Sequence, residues 1–167
     1  MSSNIQKITT CLWFEERMEE AVDFYLSIFK DAKVSRKIYY SKEGKEIHGF
    51  SEGTIMTIEF ELEGHQFMAL NGGPQFKFTE AVSFLINCES QEEIDYYWDR
   101  LTQGGDEKAQ VCGWLKDKFG VSWQVTPIEL DNMMSDSDSQ KVERVTKAML
   151  QMKKLDLAEL RRAYAGE

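Results

Sequence analysis

Residues 112–127 form the stretch CGWLKDKFGVSWQVTP, which contains two short segments, Gly113–Lys116 and Val121–Pro127, that we predict to be strands. In the second segment polar and apolar side chains alternate, with serine, glutamine and threonine at positions 122, 124 and 126. Because successive side chains of a strand point to opposite faces, this strand has one polar and one apolar face. We predict that the apolar face packs against a helix and that the polar face borders a cleft.

The residues before this stretch predict a strand, a helix and a further short strand. Ser90 is a good N-cap, and Glu93 completes a capping box with it. The glycine pair at 104–105 ends the helix. The second half of the chain therefore has this predicted order: strand Ala81–Cys88, helix Gln91–Gln103, and short strands around Ala109–Val111, Gly113–Lys116 and Val121–Pro127.

The first half of the chain repeats that order. Apolar residues of the segment Glu15–Lys30 recur at helical spacing, and Glu63-Gly64 is a good hairpin turn. The predicted elements are a strand at 6–14, helix Glu15–Lys30, and strands Lys33–Tyr40, Thr54–Leu62 and His65–Asn71. Two successive sets of strand, helix and three strands indicate an internal duplication. We therefore expect an α+β fold of paired βαβββ modules at 5–71 and 81–128, within a single domain that spans residues 1–167.

The last part of the chain, residues 129–167, has a helical pattern. Asp138 or Ser139 can cap a long helix, and a second helical stretch covers Leu155–Ala163. The favoured interpretation is that these helices cover the core or form a dimer interface. The alternative is a lid over the ligand cleft.

Composition limits the classes of partner. A chain of 167 residues suits one domain, and its formal net charge of -9 opposes binding to nucleic acid or to an anionic membrane surface. No apolar run approaches the roughly 20 residues that span a bilayer, and the first residues lack the pattern of a signal peptide. We expect a soluble cytoplasmic protein whose three cysteines are free thiols.

The stretch 112–127 resembles the signature of the PhnB-like branch of the glyoxalase/bleomycin-resistance/dioxygenase superfamily, which has the vicinal oxygen chelate fold. The resemblance extends to AVDFYLSIF at 21–29, DYYWDRL at 95–101 and AMLQMKKLDLAEL at 148–160. It implies paired βαβββ modules around a small-molecule cleft and commonly a homodimer. Many members of this branch are labelled 3-demethylubiquinone-9 3-methyltransferase.

Metal-dependent members of the superfamily hold a divalent ion with His and Glu side chains from the first and fourth strands of each module. Alignment places Thr10, Ala69, Ser83 and Gln124 at those positions, with Asn71 beside the second. Because neutral groups of this kind bind first-row metals poorly, we expect no metal at the usual site. We expect no other cofactor, because the glycine pairs at 72–73 and 104–105 do not lie between a first strand and its helix.

The resemblance and the strand pattern together predict a cleft that binds a small organic molecule. The candidate ligand-binding residues are Thr10, Ala69, Asn71, Ser83, Trp114 and Gln124. Catalytic residues stay unassigned, and whether the chain is an enzyme stays open. Alternatives are a divalent-metal-dependent lyase or dioxygenase with atypical ligands, a sequestering protein like the bleomycin-resistance relatives, and, least favoured, a methyltransferase.

Several other side chains are weaker candidates. Cys112 has lysines near it in sequence, but an inert packed thiol is favoured. Cys11 and Cys88 are predicted to face the helices and to belong to the core. By strand parity His65 faces the cleft, yet no partner is evident that would orient it as a base. His48 lies in the polar loop, where a solvated residue is expected.

Overall fold

The computed structural model describes residues 6–167. Residue 5, at which the first predicted βαβββ module begins, lies outside them. The described chain forms two compact units, with the division between Phe78 and Thr79. The α+β class is confirmed, with one small mixed sheet in each unit. Every helix of residues 6–167 is too short or too polar to span a bilayer.

The first unit contains one complete βαβββ module. Its elements are β1 Thr10–Phe14, α1 Met18–Ile28, β2 Ala32–Tyr39, α2 Lys45–His48, β3 Ile55–Leu62 and β4 His65–Asn71. The sheet has the order β1-β4-β3-β2, with β1 parallel to β4 and the other pairs antiparallel. The short helix α2 lies in the segment that the sequence predicts as a polar loop.

Helix α1 covers one face of this sheet. Its buried residues recur at helical spacing: Met18, Ala21, Val22, Tyr25 and Ile28. The Tyr25 ring lies 6.5 Å from that of Phe60, which pairs with Phe67 across β3 and β4. All three aromatic side chains are buried, and burial of such a side chain contributes about 1.5–3 kcal/mol. This face is therefore the core of the first unit.

The second unit also begins with a strand and a helix. Its elements are β5 Phe84–Cys88, α3 Gln91–Leu101, β6 Trp114–Lys116, β7 Ser122–Pro127, α4 Ile128–Met134, α5 Ser139–Met149 and α6 Leu157–Ala165. The sheet order is β5-β7-β6, with β5 parallel and β6 antiparallel to β7. Ser90 caps α3 by accepting a hydrogen bond from the N–H of Glu93, as predicted.

The strand predicted around Ala109–Val111 is wrong. Glu107–Ala109 form a 3-10 turn, because the Asp106 carboxylate accepts the N–H of Lys108. Val111 then makes a single bridge to Trp114 across the two-residue loop Cys112-Gly113. Both loop residues have positive φ, at 51° and 83°, which is the geometry of a tight hairpin turn. The second sheet therefore has three strands rather than four.

The C-terminal helices share a core of their own. The helix α4 follows β7 directly and is absent from the sequence prediction, whereas α5 and α6 match it closely. Their shared core comprises Leu130, Met133, Val145, Met152, Leu155 and Leu160. The link between α5 and α6 is also tied to the rest of the unit, since the carbonyls of Met152 and Lys153 accept the N–H groups of Cys112 and Gly113. These contacts agree with a covering role for the tail.

Candidate functional site

The two faces of β7 differ as the alternating sequence predicts. Trp123 and Val125 are buried, and the Trp123 ring lies 5.3 Å from that of Phe84 in β5. Helix α3, which buries Ile94 and Leu101, packs against this strand. The opposite face of β7 carries the polar residues at 122, 124 and 126. The prediction that β7 separates an apolar helix side from a polar side is confirmed.

The neighbouring strands extend this polar face. Gln124 lies between Trp114 of β6 and Leu85 of β5, and Lys116 is opposite Ser122. Gln124 also donates a hydrogen bond from Nε2 to Oγ of Ser83, at 2.9 Å. We call this surface the Gln124 face, and define it by Ser83, Leu85, Trp114, Lys116, Ser122 and Gln124. Three of the predicted ligand-binding residues, Ser83, Trp114 and Gln124, are thus brought together.

The Gln124 face combines apolar surface with one charged side chain and several uncharged polar groups. Leu85 is half exposed, and Trp114 is partly buried. The ammonium group of Lys116 pairs with the carboxylate of Glu80. The Ser122 hydroxyl is buried and has no hydrogen-bond partner among the described residues. An unpaired buried hydroxyl costs about 1–3 kcal/mol, so this face holds unused hydrogen-bonding capacity.

Asp117 builds the turn that joins β6 to β7. One carboxylate oxygen accepts the N–H groups of Phe119 and Val121, at 2.9 and 3.0 Å. The other accepts the indole N–H of Trp123, at 2.9 Å. The side chain is only 2% exposed, so these bonds replace its hydration. The sequence analysis missed this role, although an aspartate that begins a DxxG turn is a recognised turn signal.

The predicted site residues of the first unit lie on the face of the sheet that α1 covers. Thr10 pairs with Phe67 and Leu12 with Ala69, so all of them share the face that α1 covers. Ala69 is completely buried there. Asn71 ends the same face, and its side-chain amide donates to the carbonyl of Ile55. The structure therefore corrects the placement of Thr10, Ala69 and Asn71 on the cleft side.

A change of one residue in the register of a strand moves every side chain to the other face, and the sequence of β1 does not indicate which register the strand takes. The face of this sheet away from α1 instead carries Cys11, Trp13, Met68, Leu70 and Thr57. The Thr57 hydroxyl is buried and, like that of Ser122, unpartnered among the described residues.

The cysteines occupy different environments. Cys11 is exposed rather than in the core, because Leu12 and Phe14 take the buried side of β1. Cys88 is buried as predicted, and this burial raises the pKa of its thiol to about 12. A thiol with so high a pKa stays protonated near neutral pH and is a poor nucleophile. Cys112 lies in the hairpin loop, where its backbone N–H donates to the carbonyl of Met152.

Both glycine pairs have a packing role. A Cβ atom on Gly72 would overlap the indole ring of Trp13, whose N–H donates to the carbonyl of Gly73 at 2.8 Å. A Cβ atom on Gly105 would overlap the carbonyl oxygen of Lys116. These glycines are therefore accounted for by the close approach of neighbouring groups within their own units.

The donor groups at the aligned metal positions do not fit a divalent cation. Ala69 has no donor atom, and the Gln124 amide is already bonded to Ser83. Within residues 6–167 no three His, Cys, Asp or Glu side chains come together as a metal-binding group. His65 contacts Thr10 at 3.4 Å on the α1-covered face of its sheet, and His48 stacks on Tyr40. Neither histidine belongs to the Gln124 face.

Comparisons with known proteins identify relatives. The family model described as 3-demethylubiquinone-9 3-methyltransferase matches residues 6–126. No protein with a curated functional description matches the chain. A PhnB protein of Bacillus cereus with the same methyltransferase description is 37% identical, with a TM-score of 0.63, over 73% of this chain and 99% of that one.

Two more distant solved structures support the fold. The protein PA1353 of Pseudomonas aeruginosa has a TM-score of 0.55 and 19% identity over 74% of this chain and 98% of its own. The fosfomycin resistance protein FosX of Listeria monocytogenes has a TM-score of 0.51 and 16% identity, over 81% of this chain and all of its own. The chain therefore belongs to the PhnB-like 3-demethylubiquinone-9 3-methyltransferase family, within the vicinal oxygen chelate superfamily.

Proposed function

We propose that this protein binds a small organic molecule on the Gln124 face and does so without a divalent metal. The observation that carries the proposal is the composition of that face. It joins an indole and a half-exposed leucine to an amide–hydroxyl pair and a buried hydroxyl that lacks a partner. Small-molecule sites are usually built in this way, from apolar surface with a few convergent polar groups.

Gln124 is the residue whose change tests the proposal. Its amide lies at the centre of the face, so Gln124→Leu removes the polar contact and keeps an apolar side chain of similar size. A screen of small aromatic fragments by ligand-observed NMR, followed by calorimetric titration, should find ligands that this variant binds about tenfold or more weakly. Gln140→Leu, an equivalent change at an exposed position of α5, should leave those affinities unchanged. Equal affinities in both variants would overturn the proposal.

The same ligands separate this proposal from a metal-dependent lyase or dioxygenase. Neutral donors at the aligned positions make metal-independent binding the expected result. Affinities should therefore be the same after exhaustive dialysis against EDTA as before it. Binding or turnover that appears only when zinc, nickel or manganese is restored would favour the metal-dependent alternative.

The methyltransferase description belongs to the family and to the Bacillus cereus relative, so it merits its own test. Packing against Trp13 and Lys116 accounts for the two glycine pairs, so a glycine-rich cofactor loop is not needed to explain them. We expect no saturable binding of S-adenosylmethionine in calorimetric titration. Stoichiometric binding would make methyl transfer the leading function.

Two further properties follow from family membership and are proposed with it. Relatives of this fold commonly form homodimers, and we propose one here, with sedimentation at twice the 19.4 kDa chain mass as the expected result. A sequestering protein would release its bound compound chemically unchanged, whereas an enzyme would release a product. Mass spectrometry of the released compound distinguishes these outcomes.

A further inference from the structure

We infer that the ligand of the Gln124 face is a small organic anion whose acidic group takes the place of the Glu80 carboxylate on Lys116. This inference rests on the proposed function and names the class of ligand. It depends on three observations: the position of Lys116, the position of Glu80 and the neutrality of the other groups.

Lys116 supplies the positive charge of this face. It lies opposite Ser122 in the sheet, and only 23% of its side chain is exposed. Because the buried part of a lysine is usually its carbon stem, the ammonium group at the end stays available to an anionic partner. The remaining polar groups of the face are the amide and hydroxyls of Gln124, Ser83 and Ser122, which carry no charge. An anion is therefore the ligand charge that this surface matches best.

The carboxylate of Glu80 occupies the place beside the Lys116 ammonium group where a ligand anion would bind. It lies before β5, outside the strands of the sheet, and 58% of its side chain is exposed. Its hydrogen bond to Lys116 lowers the pKa of the Glu80 carboxyl, so it is ionised at neutral pH. Because an exposed ion pair is weak, a ligand carboxylate can replace this one without a large free-energy cost. Glu80 thus competes with the ligand for one ammonium group.

The other groups define the rest of the ligand. Trp114 and Leu85 lie on either side of Gln124 and offer apolar surface to a ring or a short chain. The Ser122 hydroxyl lies opposite Lys116 but is buried, so Lys116 is the group that contacts the acidic part of the ligand. The ligand class is a compact molecule with one apolar part and one carboxylate or similar acidic group.

Benzoate and benzamide form a matched pair of probes, since they share a ring and differ in charge. We expect calorimetric titration of the native protein to show benzoate binding about tenfold tighter than benzamide. Glu80→Gln removes the competing carboxylate and should tighten benzoate binding about fivefold or more, with benzamide unchanged. Lys116→Gln should abolish the preference for benzoate. The controls are Glu129→Gln, which breaks an exposed ion pair with Arg161, and Lys154→Gln, which breaks pairs with Asp95 and Asp99.

The sign of the Glu80→Gln effect decides the inference. Weaker benzoate binding in that variant would mean that Glu80 supports the site, and would overturn the displacement argument. Equal binding of the two probes would overturn the anion class while leaving a neutral ligand, and hence the proposed function, intact. Binding of neither probe to the native protein or to Glu80→Gln would also overturn it, and the fragment screen would then decide the proposed function alone. Unfolding in urea verifies that each variant is folded.

Discussion

Asp117 shows how one residue determines the geometry of the site. Its buried carboxylate accepts two backbone N–H groups of the β6–β7 turn and the indole N–H of Trp123. The turn sets the register in which Lys116 meets Ser122 and Trp114 meets Gln124. The polar face therefore depends on a carboxylate that lies outside it.

Asp117→Asn should lower the free energy of unfolding by about 1–3 kcal/mol. Asparagine has an NH2 group in place of one carboxylate oxygen, and this group cannot accept the indole N–H of Trp123. Urea denaturation followed by circular dichroism measures this loss. Asp106→Asn is the matched control, since Asp106 accepts one backbone N–H at an exposed turn and asparagine caps equally well. A loss for Asp117→Asn no larger than that of the control would contradict this role.

At the scale of elements, the buried face of a strand was predictable where polar and apolar residues alternate, and it was unpredictable where they do not. In β7 small polar residues alternate with large apolar ones, and the structure has the predicted faces. In β1 the sequence Thr-Cys-Leu-Trp-Phe is apolar at nearly every position, so it does not indicate which side chains are buried. The turn that follows β1 contains Arg17 with a φ of 58°, a left-handed geometry that no local sequence signal indicated.

Two further elements could not be predicted from the sequence, for physical reasons. Helix α4 begins directly after Pro127, without a side-chain cap, so it lacks the usual polar start signal. The segment 109–111 has strand-like residues, yet the aspartate cap and the tight hairpin leave it a single bridge. For the candidate site, the polar residues of β5–β7 were predictable from the alternation. The ion pair between Lys116 and Glu80 was not predictable, because Lys116 lies in β6 and Glu80 lies far away in the sequence, in the loop before β5.

The contact between β1 and the glycine pair yields a prediction about this element. The Trp13 indole packs on Gly72, bonds to Gly73 and lies 4.9 Å from the ring of Phe76. Gly72→Ala should lower the free energy of unfolding by about 1–3 kcal/mol, because the ring has to move out of this position. Urea denaturation of Gly72→Ala, Trp13→Phe and the double variant gives the coupling energy. Additive effects of the two substitutions would contradict the proposed overlap.

At the scale of the whole molecule, the matching family model ends before the C-terminal helices and does not reach the stretch 148–160, to which we expected the resemblance to extend. The family model stops at residue 126, and the Bacillus cereus relative is almost completely covered by 73% of this chain. Helices α4, α5 and α6 begin at Ile128 and have their own apolar core. They are joined to the matched region beside Trp114, through Cys112 and Gly113. This addition therefore braces the hairpin that carries one edge of the Gln124 face.

The four tryptophans give a direct test of where a ligand binds. Trp114 lies on the Gln124 face, Trp123 on the opposite side of the same sheet, Trp98 in α3 and Trp13 in the first unit. The decisive measurement is a titration of labelled protein with a fragment ligand in EDTA, following the four indole N–H signals by NMR. The account predicts that the Trp114 signal shifts saturably while the Trp123 signal stays in place. A saturable shift of Trp123 or Trp98 with Trp114 unchanged would contradict it.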